Sequence, residues 1–235
     1  MAKNETSTKF KLRTLLVKFE AILNPWEVSA FRGAIIEKIG RENILFNHHI
    51  DDQRYLYRYP LVQYKSIGRQ PAILCLGEGV NEIYKLFNKP SWEISLMGSK
   101  LDLSIDKLDL GNFGLSISNQ SHSYSLHNWL ALNEANFKSY KELNDDIRKI
   151  ELLEKTLVGN ILSFAKGVGW TIEEEIKVKI GSINKTKQLK YKGTHLLAFE
   201  IDFSSNIYLP EFIGLGKGAS HGYGIIVHKS NKHIL

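Results

Sequence analysis

Between residues 10 and 96 the hydrophobic pattern alternates strand and helix periods in the order β-α-β-β-α-β, and few folds accommodate that order. Phe10, Leu12, Leu15, Val17 and Phe19 alternate in part and predict a long strand over residues 10–23. Asn24-Pro25 opens a helix, with proline at the first helical position, where its missing N–H leaves no partner wanting. An apolar stripe through Trp26, Ala30, Ala34 and residues 36–39 carries that helix to Gly40. Residues 55–65 alternate tyrosines with basic or polar residues and predict a second strand, bent or placed at an edge by Pro60. Residues 72–76 predict a short buried strand, residues 80–88 a helix after Gly77-Glu78-Gly79, and residues 92–96 a closing strand. The order is that of the ferredoxin-like split βαβ, the fold also used by RNA-recognition motifs.

The remaining chain repeats part of this grammar. Residues 101–105 and 114–117 suggest a hairpin, residues 124–132 a strand, and residues 145–165 a helix ended by Gly167 and Gly169. Residues 176–183 and 189–203 suggest a hairpin with a basic tip, followed by a last strand over residues 225–227. The expected fold class is α+β, with two tandem ferredoxin-like units, the second irregular. The expected division is 1–122 and 123–235. A length of 235 residues suits this, being enough for one large domain or two of about 100–120 residues.

Lysine and arginine number 31 against 25 acidic residues, for a net charge of +6, which favours a polyanionic partner. Cys75 stands alone, so an intramolecular disulfide and a multi-cysteine zinc site are excluded; its apolar neighbours predict a buried, inert thiol. No apolar run reaches the length of a membrane span, and residues 1–8 lack the apolar core of a signal peptide. A soluble, cytoplasmic protein without a membrane partner is expected.

Residues 214–224, Gly-Leu-Gly-Lys-Gly-Ala-Ser-His-Gly-Tyr-Gly, form a glycine-rich loop between an apolar segment and the last strand. Such a run admits positive φ and exposes backbone N–H groups that can cradle a phosphate. Lys217, Ser220 and His221 add direct phosphate contacts. The loop lacks the Lys-Ser or Lys-Thr of a P-loop. It also lacks the following helix and acidic residue of a dinucleotide fingerprint.

A second region is dense in chemistry. His48 and His49 lie in a polar loop after the first helix, followed by Tyr55, Tyr57, Tyr59 and Tyr64 interleaved with Arg54, Arg58 and Lys65. Aromatics among cations stack on bases and bind phosphates. Histidine exchanges protons near neutral pH. A histidine base, positive charge and a phosphate cradle suffice to cleave RNA without a metal or a cofactor. Asp51 and Asp52 beside the histidines leave open a metal-dependent nuclease, although adjacent residues rarely present two ligands to one ion. His122, His127 and His195 belong to no motif.

Taken together, these two regions resemble the CRISPR-associated repeat-processing endoribonucleases, the Cas six family. Phe31-Arg32-Gly33-Ala34, Phe46-Asn47-His48-His49 and Tyr57-Arg58-Tyr59-Pro60-Leu61-Val62-Gln63-Tyr64-Lys65 resemble the N-terminal domain of one subgroup. There a Phe-His-Asn-His segment precedes a Tyr-Arg-Tyr-Pro-Leu-Ile-Gln-Tyr-Lys strand. Here Asn47 stands where the first histidine would be, and His48 where the asparagine would be. Residues 214–224 are similar to the family's glycine-rich signature; residues 99–206 carry no family motif. The resemblance implies a metal-independent RNase that cuts precursor CRISPR RNA within its repeats and leaves 2′,3′-cyclic phosphate and 5′-hydroxyl ends. It implies His49 or His48 as general base, with Tyr55 or Tyr57 orienting the phosphate or the histidine. Arg58 and Lys65 would supply charge. Gly214, Gly216, Lys217, Gly218, Ser220, His221 and Gly222 would hold the backbone of a CRISPR repeat RNA. The chain would act as a monomer or homodimer, alone or in a CRISPR effector complex. The alternative is a non-catalytic RNA-binding subunit of such a complex.

Overall fold

A computed structural model describes residues 10–47 and 59–229. Strand β1 (Phe10–Phe19) leads through a 3-10 turn (Pro25–Glu27) into helix α1 (Val28–Ile39) and a single turn, α2 (Ile44–Asn47). The Glu27 carboxylate accepts from the Asn24 amide at 2.7 Å, which holds the helix entrance. Strands β2 (Val62–Ile67) and β3 (Gln70–Leu76) form a tight hairpin. Two short turns of helix, α3 (Gly79–Glu82) and α4 (Tyr84–Phe87), precede β4 (Glu93–Leu96), β5 (Ser99–Asp102) and β6 (Ile105–Leu115). The first sheet has the order β2-β3-β1-β6, all antiparallel, as a ferredoxin-like unit requires.

Its fourth strand is not the segment expected. Residues in β4 pair with β5 in a separate hairpin, from Glu93↔Asp102 to Leu96↔Ser99. The sheet is closed by β6, which runs along β1 from Phe10↔Leu115 to Lys18↔Lys107. Most of β6 is exposed and carries Asp106, Asp109, Gly111 and Asn112, residues of low strand propensity. Its apolar residues alternate only in two short stretches that are out of phase, Leu108 with Leu110 and Phe113 with Leu115, so its pairing with β1 decides its conformation.

The second sheet contains β7 (Ile117–Trp129), β8 (Val178–Tyr191), β9 (Thr194–Ile207) and β10 (Ile225–His228), in the order β10-β7-β9-β8. Helices α5 (Glu134–Glu142) and α6 (Asp146–Gly167) follow β7. The Asp145 carboxylate accepts from the Ile147 amide at 2.9 Å and starts α6, and Leu153, Leu157, Ile161 and Phe164 bury one face of it. Strand order and crossover are again ferredoxin-like, but the second helix is missing. The glycine-rich loop, with one 3-10 turn (Ala219–His221), takes its place between β9 and β10. That substitution is the irregularity expected of the second unit. Because β7 begins at Ile117, Ser116 joins the two sheets, whereas the expected division at 122/123 falls inside the strand. No helix among the described residues is long and apolar enough to cross a membrane.

Two cores result. Phe19, Phe31, Ile35, Tyr64, Ile73 and Cys75 pack α1 on the first sheet, and burial there pushes the Cys75 thiol well above its ordinary pKa. The other core is shared between the units: Leu12, Leu74 and Leu76 of the first sheet meet Tyr124, Leu126, Trp129 and Phe203 of the second.

Candidate nucleic-acid interface

Many amides of the glycine-rich loop already have partners. The Gly214 amide donates to Gln63 Oε1 (2.9 Å), Leu215 to the Gly224 carbonyl (2.8 Å), Lys217 to the Leu130 carbonyl (3.2 Å) and His221 to the Gly218 carbonyl (2.7 Å). Gly216, Gly218, Gly222 and Gly224 all have φ between 63° and 83°. Close packing adds to this: a Cβ at Gly218 would stand 2.9 Å from Tyr223 and 3.0 Å from Tyr191. Lys217 projects from this frame exposed, while Ser220, His221 and Gly222 are partly exposed.

Two elements meet at the loop's outer side. From α1 comes Ser29, whose Oγ lies 3.2 Å from His221 Nδ1. The β8–β9 hairpin contributes Tyr191, its ring edge-on to His221 (5.7 Å) and Tyr223 (5.6 Å), with Lys217 Nζ over its face at 5.7 Å. Tyr223 Oη donates to the Lys190 carbonyl at 3.1 Å and ties the hairpin tip to the loop. Arg32, one turn after Ser29, lies with its guanidinium 6.0 Å from the Tyr64 ring. Burial lowers its pKa, a shift that the nearby Tyr64 and Tyr191 oppose. Arg32 Nη2 donates to the Asn47 carbonyl at 2.6 Å, while its Nε is buried without a partner among the described residues.

His48, His49, Tyr55 and Arg58 lie outside the described residues; the residues that bound them do not. Asn47 is fixed by Arg32. Tyr59, at the other end, donates from Oη to the Gly214 carbonyl (2.9 Å) and accepts from Gln63 Nε2 (2.9 Å). With the Gly214 amide on Gln63 Oε1, these bonds form a closed ring between the two units.

A family model for the Cas6b N-terminal domain matches residues 10–113, and one for the Cas6b C-terminal domain matches residues 116–229. The chain belongs to the Cas6b family. It is similar to a crystal structure of a Cas6b, at 29% identity and a TM-score of 0.85, over 93% of this chain and 100% of that one. A second structure, that of a CRISPR RNA processing endoribonuclease Cas6b, is 28% identical with a TM-score of 0.71 over the same shares. An uncharacterised protein of Methanocaldococcus jannaschii is 42% identical over 99 residues, which span 42% of this chain and 66% of that protein.

Within this Cas6b-family frame the candidate residues divide. Lys217, Ser220, His221 and Gly222 reach the surface that α1 and the hairpin tip share. Gly214 does not: it is buried, and both its amide and carbonyl are engaged by the first unit. Lys65 is also inside. It is fully buried on the face that its partner Ala72 presents to the shared core, and its Nζ has no hydrogen-bond partner among the described residues. Burial lowers its pKa to about 7. Its charge is therefore not offered to RNA at the surface of the described residues. Ser29 and Tyr191 were not singled out from sequence. The signals for them were the three-residue spacing of Ser29 and Arg32 on one helix face, and a tyrosine set between Lys190 and Lys192 at a hairpin tip.

Proposed function

We propose that this chain is a metal-independent endoribonuclease that cuts precursor CRISPR RNA within its repeats. The observation that carries this reading is the convergence of α1, the β8–β9 hairpin tip and the glycine-rich loop beside Asn47, the residue that leads directly into His48 and His49. Likeness to a CRISPR RNA processing endoribonuclease across 93% of the chain supports it.

RNA lies across Lys217, Ser220, His221 and Gly222, with Gly216 and Gly218 shaping the loop that receives its backbone. His49 or His48 takes the proton of a 2′-hydroxyl. The freed oxygen attacks the adjacent phosphorus, the bond to the 5′-oxygen breaks, and that oxygen leaves with a proton. The products are a 2′,3′-cyclic phosphate and a 5′-hydroxyl. Tyr55 orients the phosphate, and Arg32, Arg58 and Lys217 oppose the charge that builds on it.

The test uses a labelled single-repeat RNA in EDTA, beside a copy with one 2′-deoxy residue at the cut. Cleavage of the first alone is expected, with loss of cutting and retained binding in the His49→Ala or His48→Ala variant. Cutting that stops in EDTA moves the assignment to a metal site. Tight binding without cutting of either RNA makes the chain an RNA-binding subunit.

A further inference from the structure

A cavity opens beside Gly222 of the glycine-rich loop, and Tyr191 is not among the residues that line it. It measures about 160 Å³ and is lined by Pro25, Val28, Arg69, His127, Asn128 and Gly222, together with the β2–β3 turn. Both units build it, and both do so with unusual backbone. Ile67 pairs with Gln70, so Gly68 and Arg69 alone form the turn, with φ of 60° and 62°. A two-residue turn with both φ values positive strongly favours glycine at its second position, yet this chain has an exposed arginine there. Across the cavity the pairing of β7 with β9 breaks register between Leu126 and Trp129, which places His127 and Asn128 in a bulge. Asn128 also has a positive φ, 51°. Gly222 is explained by packing, since a Cβ there would stand 3.1 Å from Val28. Arg69 Nη2 makes one long bond, to Asn24 Oδ1 at 3.4 Å, and a glycine would make the same turn without strain.

The polar groups of the cavity are set for a ligand. His127 Nδ1 lies 2.9 Å from Glu200 Oε2, and Glu200 Oε1 accepts from Lys187 Nζ (2.8 Å) and the Asn128 amide (3.2 Å). Burial alone would raise the Glu200 pKa, but the bonds from His127 and Lys187 outweigh it and hold the carboxyl below its ordinary value. An ionised acceptor fixes the proton on Nδ1, and no hydrogen bond among the described residues uses Nε2. Arg69 brings a cation to the rim. Trp26, next to Pro25, is 77% exposed, as a base-stacking platform must be.

We propose that this cavity is a nucleotide subsite: it takes the base of one unpaired nucleotide of the RNA, reads its edge with His127 and Asn128, and holds its phosphate with Arg69. The subsite fixes the register of the repeat and hence the position of the cut. This rests on the reading of the chain as an RNA-processing enzyme. Arg69→Gly is a favourable probe, because glycine suits the turn and the fold should keep its stability.

Binding of the single-repeat RNA is measured for the wild type and for Arg69→Gly and His127→Gln variants, with an abasic residue walked along the repeat. In the wild type, one abasic position away from the cut should weaken binding about tenfold, the scale of one stacked base. In both variants that position should cost little more, and minor cuts at neighbouring positions should appear. Equal abasic profiles in wild type and variants overturn the subsite while leaving RNA processing intact. A wild type that binds no repeat RNA overturns the reading beneath it, and the subsite with it.

Discussion

Lys65 places an amine where no group among the described residues accepts from it, and this makes stability depend on pH. Its folded-state pKa of about 7 lies below the ordinary lysine value of 10.5. Between those values the unfolded chain holds a proton that the folded chain lacks, so stability rises with pH across that window. Below about pH 7 the penalty is complete and constant; above the unfolded pKa it is absent. Lys65→Met should therefore raise the unfolding free energy at pH 7 by a few kcal/mol and abolish the rise in stability between pH 7 and 10.5. Urea titrations of both proteins at several pH values measure this. A more stable variant with slower RNA cleavage would identify Lys65 as a costly group kept for its function. A variant with neither change would show that the amine finds a partner in solution. From sequence Lys65 reads as one more cation in a basic strand. Its burial follows from the second unit packing over β2, and no local pattern encodes that.

At the scale of elements, the β8–β9 hairpin makes the sharpest prediction. Lys190 and Lys192 at its tip are exposed, whereas Lys187 is held by Glu200. If RNA crosses the tip, replacing Lys190 and Lys192 with alanine should lower the slope of log affinity against log salt by about 1 per lysine. Lys187→Ala should change that slope less, because its charge is already opposed. Fluorescence anisotropy over a salt series separates the two; an unchanged slope in the double variant would place the RNA elsewhere. The elements that were legible in the sequence are those whose burial is periodic. Helix α6 buries Leu153, Leu157, Ile161 and Phe164, and the stripe is plain from spacing alone. Strand β6 was not legible as one element, because most of its residues face solvent and its existence depends on β1. The site shows the same division. Glycines that adopt positive φ announce their loop, but Arg69 and Asn128 reach such angles only through a turn and a bulge set by strand register.

The whole molecule is held together by the ring of Tyr59, Gln63 and Gly214 and by a core drawn from both sheets. Gln63→Ala leaves the Gly214 amide and Tyr59 hydroxyl short of partners and should cost about 3 kcal/mol of stability. Calorimetry should show a single transition for the wild type, shifted down in the variant. Two separate transitions in the wild type would mean that the units fold independently. A joint of this kind also constrains descent. The ring joins a glutamine of one unit to a backbone amide of the other, and Tyr59 sits where a Cβ on Gly167 would overlap it. Recombination between distant members of the family would part these fitted pairs, even where each half was sound by itself. The two halves are thus expected to be inherited as a pair, with substitutions at Tyr59 or Gln63 tracked by changes along α6 and the glycine-rich loop.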